Sequence, residues 1–173
     1  MVDLTGDANA WFDLYKAQEI GKLANYNQIT DKLYLSGYQA SEHEELVKNV
    51  MKVGAILTVA NDLEQKFAGG TIEYKQVDII DSEEHDVKQH FKDCIAFIRR
   101  VTEVEGKNIL VHCAAGVSRS ASVVVAYIMV SRKLRLKEAF AFVLEKRPCI
   151  KPNEGFMRQL EEFEKELISQ GLI

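Results

Sequence analysis

His112 and Cys113 are followed, six residues after the cysteine, by Arg119 and Ser120, and the residues between, Ala114-Ala115-Gly116-Val117-Ser118, are small or uncharged. A thiol and a guanidinium at the two ends of one short loop suit the cleavage of phosphate esters. Cysteine thiols at helix N-termini beside cations ionise at roughly pH 3.5–7.5 rather than ~8.5, which makes Cys113 the candidate nucleophile. The planar guanidinium of Arg119 can hold two phosphate oxygens at once and follow the charge of a phosphoryl group in transfer, which Lys cannot do. His112 is expected to orient the loop by hydrogen bonding. Ser120 is expected to donate its hydroxyl to the Cys113 sulfur, easing departure of the thiolate when a phospho-cysteine is hydrolysed. Gly116 lets the chain curl so that successive amides point inward as an anion nest, and Ala114, Ala115, Val117 and Ser118 complete the expected phosphate cradle. An isolated Cys is usually a small buried apolar residue and an isolated Arg a solvated one. Here the neighbouring His, the Gly and the fixed spacing set the segment apart.

Such a loop needs a strand before it and a helix after it. Asn108 to Val111 reads as a short buried strand, and Ala121 to Arg132 as a helix without Gly or Pro. The loop then lies at a helix N-terminus, where unpaired N–H groups and the helix dipole favour an anion. Further strands are expected at Leu33 to Leu35, Ala55 to Ala60 and Tyr74 to Ile80, beside the one whose centre is Ile109 to Val111. Helices are expected at Ser41 to Met51, Val87 to Val104, Leu136 to Lys146 and Glu154 to Ser169, the last with Asn153 as N-cap. This alternation predicts an α/β fold with a central, mostly parallel sheet of about five strands flanked by helices. The loop belongs at the carboxyl edge of that sheet, where ligands bind.

Breaking a phosphate ester also needs an acid to protonate the leaving oxygen. The acidic segment from Val77 to Asp86 offers Asp78, Asp81 and Asp86, although such a loop is more often simply solvated. No Cys/His cluster has metal-ligand spacing, since His43, His85, His90 and His112 are scattered and Cys94 and Cys149 lie far apart. Neither metal nor cofactor is expected.

HCAAGVSRS fits the HCxxxxxRS signature of the dual-specificity protein phosphatases, within the cysteine-dependent phosphatase superfamily. Ile29 to Gly37 resembles the opening strands of that fold, Ala126 to Met129 its AYLM helix, and Arg147 to Leu160 its RPxIxPNxGFxxQL segment. The resemblance covers about residues 28 to 170. It implies a small, atypical member that hydrolyses phosphotyrosine and phosphoserine or phosphothreonine in proteins, with a mitogen-activated kinase as the substrate the family suggests. It selects Asp81 as the general acid, because the family places that residue at a strand end ahead of a helix with a His-Phe pair, here His90-Phe91. Two displacements follow: the Cys113 thiolate attacks phosphorus while Asp81 protonates the leaving oxygen, and then water, with Asp81 as base, hydrolyses the phospho-cysteine. The loop has no Lys, unlike that of inositol-lipid phosphatases, and Ser120-Ala121 differs from the Thr-Gly of RNA triphosphatase relatives. No aromatic recognition loop for a deep phosphotyrosine pocket is evident, and no carbohydrate-binding module. A lipid, RNA or glycan phosphatase is the alternative enzyme, and a phosphoprotein-binding pseudophosphatase the alternative without turnover.

The 173 residues, 47% apolar and 28% charged, suit one domain with a sizeable core. A formal charge of -4 gives no reason to expect nucleic acid or an anionic membrane. The apolar run Val123 to Val130 falls far short of the roughly 20 residues that span a bilayer and reads as a buried helix. Without a secretory or myristoylation signal the reading expects a cytoplasmic protein, with the nucleus as a second compartment, and a monomer or weak dimer. Residues 1–27, with Trp11, Phe12, Leu14 and Tyr15, are expected to form an amphipathic helical extension packed on a catalytic domain of residues 28–173, without a separate docking domain. Three cysteines suggest reduced thiols: Cys94 is expected in the core, and Cys149 is a candidate to resolve an oxidised Cys113 if the two Cα atoms lie within about 7 Å.

Overall fold

The computed structural model describes residues 25–173. The helical extension expected over residues 1–27 lies outside these residues except at its end, where Tyr26 and Asn27 belong to a strand rather than a helix. A five-stranded sheet runs in the order β1-β2-β5-β3-β4, with β1 Tyr26–Thr30, β2 Leu33–Ser36, β3 Val53–Val59, β4 Glu73–Val77 and β5 Asn108–His112. Only β1 is antiparallel to its neighbour; the other pairings are parallel. The mostly parallel α/β sheet is the one the alternation of elements predicts.

Two-residue periodicity divides the strands between two cores. Ala55, Leu57 and Val59 of β3 and Ile109 and Val111 of β5 face the main core, and Ile56 and Leu110 face a smaller cluster with Leu46, Val47 and Met51. Among the described residues, four α-helices of some length and one short one accompany the sheet: α1 Tyr38–Ser41, α2 Lys88–Arg99, α3 Arg119–Arg132, α4 Leu136–Lys146 and α5 Glu154–Ser169. The middle of α3, Ser122-Val123-Val124-Val125-Ala126, is apolar or small on every side and wholly buried, as a helix enclosed by sheet and other helices must be. Each Val or Ile it buries contributes about 1.5–3 kcal/mol. By contrast α5 is amphipathic, burying Phe156, Leu160, Phe163 and Leu167. Its N-cap is Asn153, whose Oδ1 accepts the Phe156 N–H at 2.8 Å.

Several boundaries differ from the sequence-based expectation. The strand expected to run from Tyr74 to Ile80 stops at Val77, because Val77 pairs with Val59, the last residue of β3, and nothing extends the ladder. The helix expected from Ala121 begins at Arg119, so Arg119 and Ser120 belong to its first turn. The expected Ser41–Met51 helix is interrupted: α1 ends at Ser41, and Leu46–Val50 forms a π-helical turn closed by the Met51 N–H donating to the Leu46 carbonyl at 2.8 Å. Lys52 then adopts a positive φ of 48°, which turns the chain straight into β3. The long helix expected to Val104 likewise finishes in a π-helical turn, Arg100–Val104. Strand β1 carries mixed burial and no clean alternation, and only the family resemblance indicated it.

Candidate active site

The carboxyl ends of β2, β3 and β5 meet at one edge of the sheet, with Ser36 and Thr58 both beside His112. The chain from Cys113 to Ser118 loops out from this edge and returns as α3. What shapes the loop is the fate of its carbonyls, each of which is held by a donor. The Cys113 carbonyl faces His112 Nδ1 at 3.4 Å, and that of Ala114 accepts from the Tyr38 N–H at 2.9 Å. Ala115 and Gly116 carbonyls accept from Arg147, at 3.3 Å from Nη2 and 2.8 Å from Nε. The Val117 carbonyl takes the Lys151 N–H at 2.7 Å, and that of Ser118 takes the Ser122 hydroxyl at 2.8 Å. With the carbonyls engaged, the amides are left to the concave side: among the described residues those of Ala114, Ala115, Val117 and Ser118 have no acceptor. Such a nest binds anions.

Gly116 makes the curl possible. Its φ is 68°, and a Cβ there would lie 2.4 Å from the carbonyl carbon and oxygen of Ser36. Cys113 is buried to 2% exposure, and its sulfur accepts the Gly116 N–H at 3.2 Å and the Ser120 hydroxyl at 3.1 Å. Both bonds stabilise negative charge on sulfur, and the second places Ser120 where its expected task requires. Ala114 and Ala115 are exposed at the mouth and Val117 is half-buried.

Arg119 is 9% exposed. Its Nη1 donates to the Ile79 carbonyl at 3.2 Å and lies 3.9 Å from Asp62 Oδ1, while its Nε is buried without an acceptor among the described residues. A phosphoryl oxygen would satisfy that donor. Here the early end of β4 matters, since the unpaired Asp78-Ile79-Ile80 stretch is free to give its carbonyl to the guanidinium rather than to a neighbouring strand.

His112 is buried, with Nε2 2.9 Å from Thr58 Oγ1. Burial pushes its imidazole down to about 4, partly opposed by the bond to the Cys113 carbonyl. It is therefore neutral near pH 7, with Nδ1 assigned as the donor and Nε2 as the acceptor of the Thr58 hydroxyl. It braces the loop without adding charge. The cation beneath the loop is Arg147, fully buried and also bonded through Nη1 to Asn25 and to Asn27 Oδ1 at 2.7 Å. Burial lowers its basicity, and the charges of Cys149 and Cys113 draw it back up.

The three candidate carboxylates separate cleanly. Asp86 accepts the Gln89 N–H at 3.1 Å and thus caps α2. Asp78 lies on the unpaired stretch, with no hydrogen-bond partner for its side chain among the described residues. Asp81 alone is tied to the loop, its Oδ1 accepting from Ser118 Oγ and Asn153 Nδ2, each at 2.9 Å. The Ser118 side chain consequently faces Asp81 rather than the interior of the cradle, where its backbone alone is available. Sequence reasoning missed Thr58 and Arg147 as supports of the loop and saw Asn153 only as a cap. Arg147 and Asn153 stand in the RPxIxPNxGF segment, where the signal lay unread.

The profile of the family described as "Dual specificity phosphatase, catalytic domain" matches residues 33–166. The chain belongs to the dual specificity phosphatase family. It is 37% identical over 143 residues to human dual specificity protein phosphatase 4, an alignment that takes in 82% of this chain and 35% of that protein. It is 42% identical over 139 residues to the Dictyostelium discoideum "MAP kinase phosphatase with leucine-rich repeats protein 2", covering 80% of this chain and 19% of that one. The chain thus spans about a third or less of the length of these relatives. Among solved structures it is similar to human DUSP28, with a TM-score of 0.77 and 29% identity over 83% of this chain and 95% of that one. The phosphatase loop, strands β2 to β5 and all but the last three residues of α5 fall within the matched residues 33–166. The thiols are all free: Cys94 is buried, Cys149 is exposed and unbonded to Cys113, and burial pushes the Cys94 thiol up to about 12. Among the described residues, no group of three or more His, Cys, Asp or Glu is arranged to hold a metal ion, and no helix is long and apolar enough to cross a membrane.

Proposed function

We propose that this dual specificity phosphatase domain hydrolyses phosphotyrosine and phosphoserine or phosphothreonine in proteins through a phospho-cysteine on Cys113. The observation that carries the reading is the phosphate loop with every carbonyl held from outside, a buried sulfur bonded by Gly116 and Ser120, and an unpartnered Arg119 Nε beside it. The Cys113 thiolate attacks phosphorus, the loop amides and Arg119 take up charge on the transferring oxygens, and Asp81 protonates the leaving oxygen. Water then attacks the phospho-cysteine, Asp81 accepts its proton, and Ser120 stabilises the departing thiolate.

The loop's own exposed residues at the mouth, Ala114 and Ala115, put no large or basic side chain against the phosphate, which suits both aryl and alkyl phosphoresidues presented on a protein. Phosphorylated proteins are the proposed substrates, and likeness to a relative named as a MAP kinase phosphatase makes such a kinase the first candidate. Residues 28–173 are the proposed catalytic unit, acting in the cytoplasm and nucleus as a monomer or weak dimer. The test is phosphate release from peptides phosphorylated on both Thr and Tyr, in chelator, by wild type and Cys113→Ser. Release from both residues by wild type alone is expected. Binding without turnover by wild type would overturn the reading and leave a phosphoprotein-binding module.

A further inference from the structure

On the reading that Asp81 is the proton donor, we propose that the start of α5 is the device that sets it, with Asn153 and Ser118 fixing one carboxylate oxygen so that the other carries the proton. Asn153 uses both ends of its amide. Its Oδ1 accepts the Phe156 N–H at 2.8 Å as the helix cap, and this forces Nδ2 toward Asp81 Oδ1, 2.9 Å away. The amide cannot flip without losing both bonds. The ring is closed by Ser118, whose hydroxyl donates to the same Oδ1 at 2.9 Å and accepts the Asn153 N–H at 3.0 Å.

Two donors on Oδ1 make it a poor place for a proton, so the acidic hydrogen belongs on Oδ2. In the first step the Cys113 S–P bond forms as the P–O bond breaks, and the Oδ2 proton passes to the leaving oxygen. In the second, water's oxygen bonds to phosphorus as S–P breaks, the thiolate returns, and Oδ2 recovers a proton from the water. Asn153 and Ser118 keep their bonds to Oδ1 throughout and act as positioning residues.

The rest of the acid loop is seated on the same helix. A Cβ on Gly155 would meet the Glu83 carbonyl oxygen at 2.0 Å, so the backbones of helix and loop lie in direct contact. Gln159 spans the loop's far end, donating to the His85 carbonyl at 2.8 Å and accepting the Lys88 N–H at 3.0 Å. Successive turns of α5 therefore fasten the loop where it leaves the sheet, midway, and where it enters α2. The acid stands ready before substrate arrives.

The test uses Asn153→Ser and Asn153→Asp, which both keep a capping oxygen and lose the amide Nδ2 that reaches Asp81. The readout is kcat/KM, which reports the step that breaks P–O, for a phosphoserine peptide and for an aryl phosphate so electron-poor that its leaving group needs no proton. Asn153→Ser should lose roughly tenfold on the peptide, the worth of one hydrogen bond to a charged group, and less than about twofold on the activated ester. Asn153→Asp should also move the peptide pH optimum upward, since a second carboxylate favours the protonated form of Asp81. In an Asp81→Asn background, Asn153→Ser should add nothing further. Equal losses on both substrates with an unmoved pH optimum would show a merely structural role and overturn the proposal. Absence of Cys113-dependent hydrolysis in wild type would instead remove the proposed function. An Asp81→Asn enzyme indifferent to the leaving group would remove the acid assignment and the positioning role with it.

Discussion

Two glycines with nearly the same backbone conformation provide a controlled perturbation. Gly116 has φ 68° and Gly171 has φ 67°, but a Cβ on Gly171 would meet nothing within 4 Å, whereas one on Gly116 would lie 2.4 Å from the Ser36 carbonyl. Alanine at either site carries the strain of a left-handed residue, about 1–2 kcal/mol, or a fall in Tm of roughly 2–8 °C for a domain of this size. Only at Gly116 is there also a steric demand. Ordinary contact begins near 3.4 Å, so the loop must withdraw from β2 by about 1 Å. That displacement loosens the Gly116 N–H bond to the Cys113 sulfur and the Arg147 bond to the Gly116 carbonyl together. A misplacement of ~1 Å in a positioned site costs on the order of a hundredfold in rate, about 2.7 kcal/mol of barrier. Thermal melting and kcat/KM on a phosphopeptide should therefore show a loss of Tm for both Gly116→Ala and Gly171→Ala, larger for the first, with activity lost only by the first. Gly116→Ala within twofold of wild-type activity, or Gly171→Ala as impaired, would refute the reasoning.

Arg147→Met should lower Tm by several degrees and reduce activity, because the Gly116 carbonyl becomes a buried acceptor without a donor, at about 1–3 kcal/mol, and the Ala115 carbonyl loses its bond as well. Arg147→Lys should fail to rescue activity, since one ammonium cannot reproduce a fork that bonds both carbonyls and Asn27; wild-type kcat for that variant would contradict this. For His112, burial holds the folded imidazole near 4, below the ~6.5 of an unfolded chain, so unfolding takes up a proton between these values. Its contribution to stability is complete above about pH 6.5 and falls by about 3 kcal/mol as pH drops toward 4, a decline that urea midpoints should show and that His112→Gln should flatten. Iodoacetamide at neutral pH should label exposed Cys149 and spare Cys94, whose buried thiol is held near 12; mass spectrometry of tryptic peptides reads this directly.

The helices Leu136–Lys146 and Glu154–Ser169 were legible to the residue because an apolar stripe and polar ends define an amphipathic helix locally. The loop from His112 to Ser120 was equally legible, since a nucleophile, a glycine and an arginine at fixed spacing need no tertiary information to be recognised as a phosphate-binding pattern. Strand ends were not. Where β4 stops depends on where β3 stops, and a ladder ends when its partner does, which no property of Tyr74 to Ile80 records. Nor does local pattern reveal that the helix expected across Ser41 to Met51 is interrupted and closes in a π-helical turn.

Among Asp78, Asp81 and Asp86, side-chain chemistry is the same and neighbouring charge similar, so the residues alone left three candidates and family resemblance supplied the choice. Tertiary contact distinguishes them physically: one caps a helix, one lies on the unpaired stretch after β4, and one is bonded across the fold to Ser118 and Asn153. The sequence by itself determined the chemistry of the loop and the alternation of strands and helices, because both are written in residues close together along the chain. The tertiary structure alone decided that Arg147 braces the loop from beneath and that α5 seats the acid, because those bonds join residues 31 to 72 positions apart, and hydrogen bonds over such separations exist only once the sheet has brought their partners together.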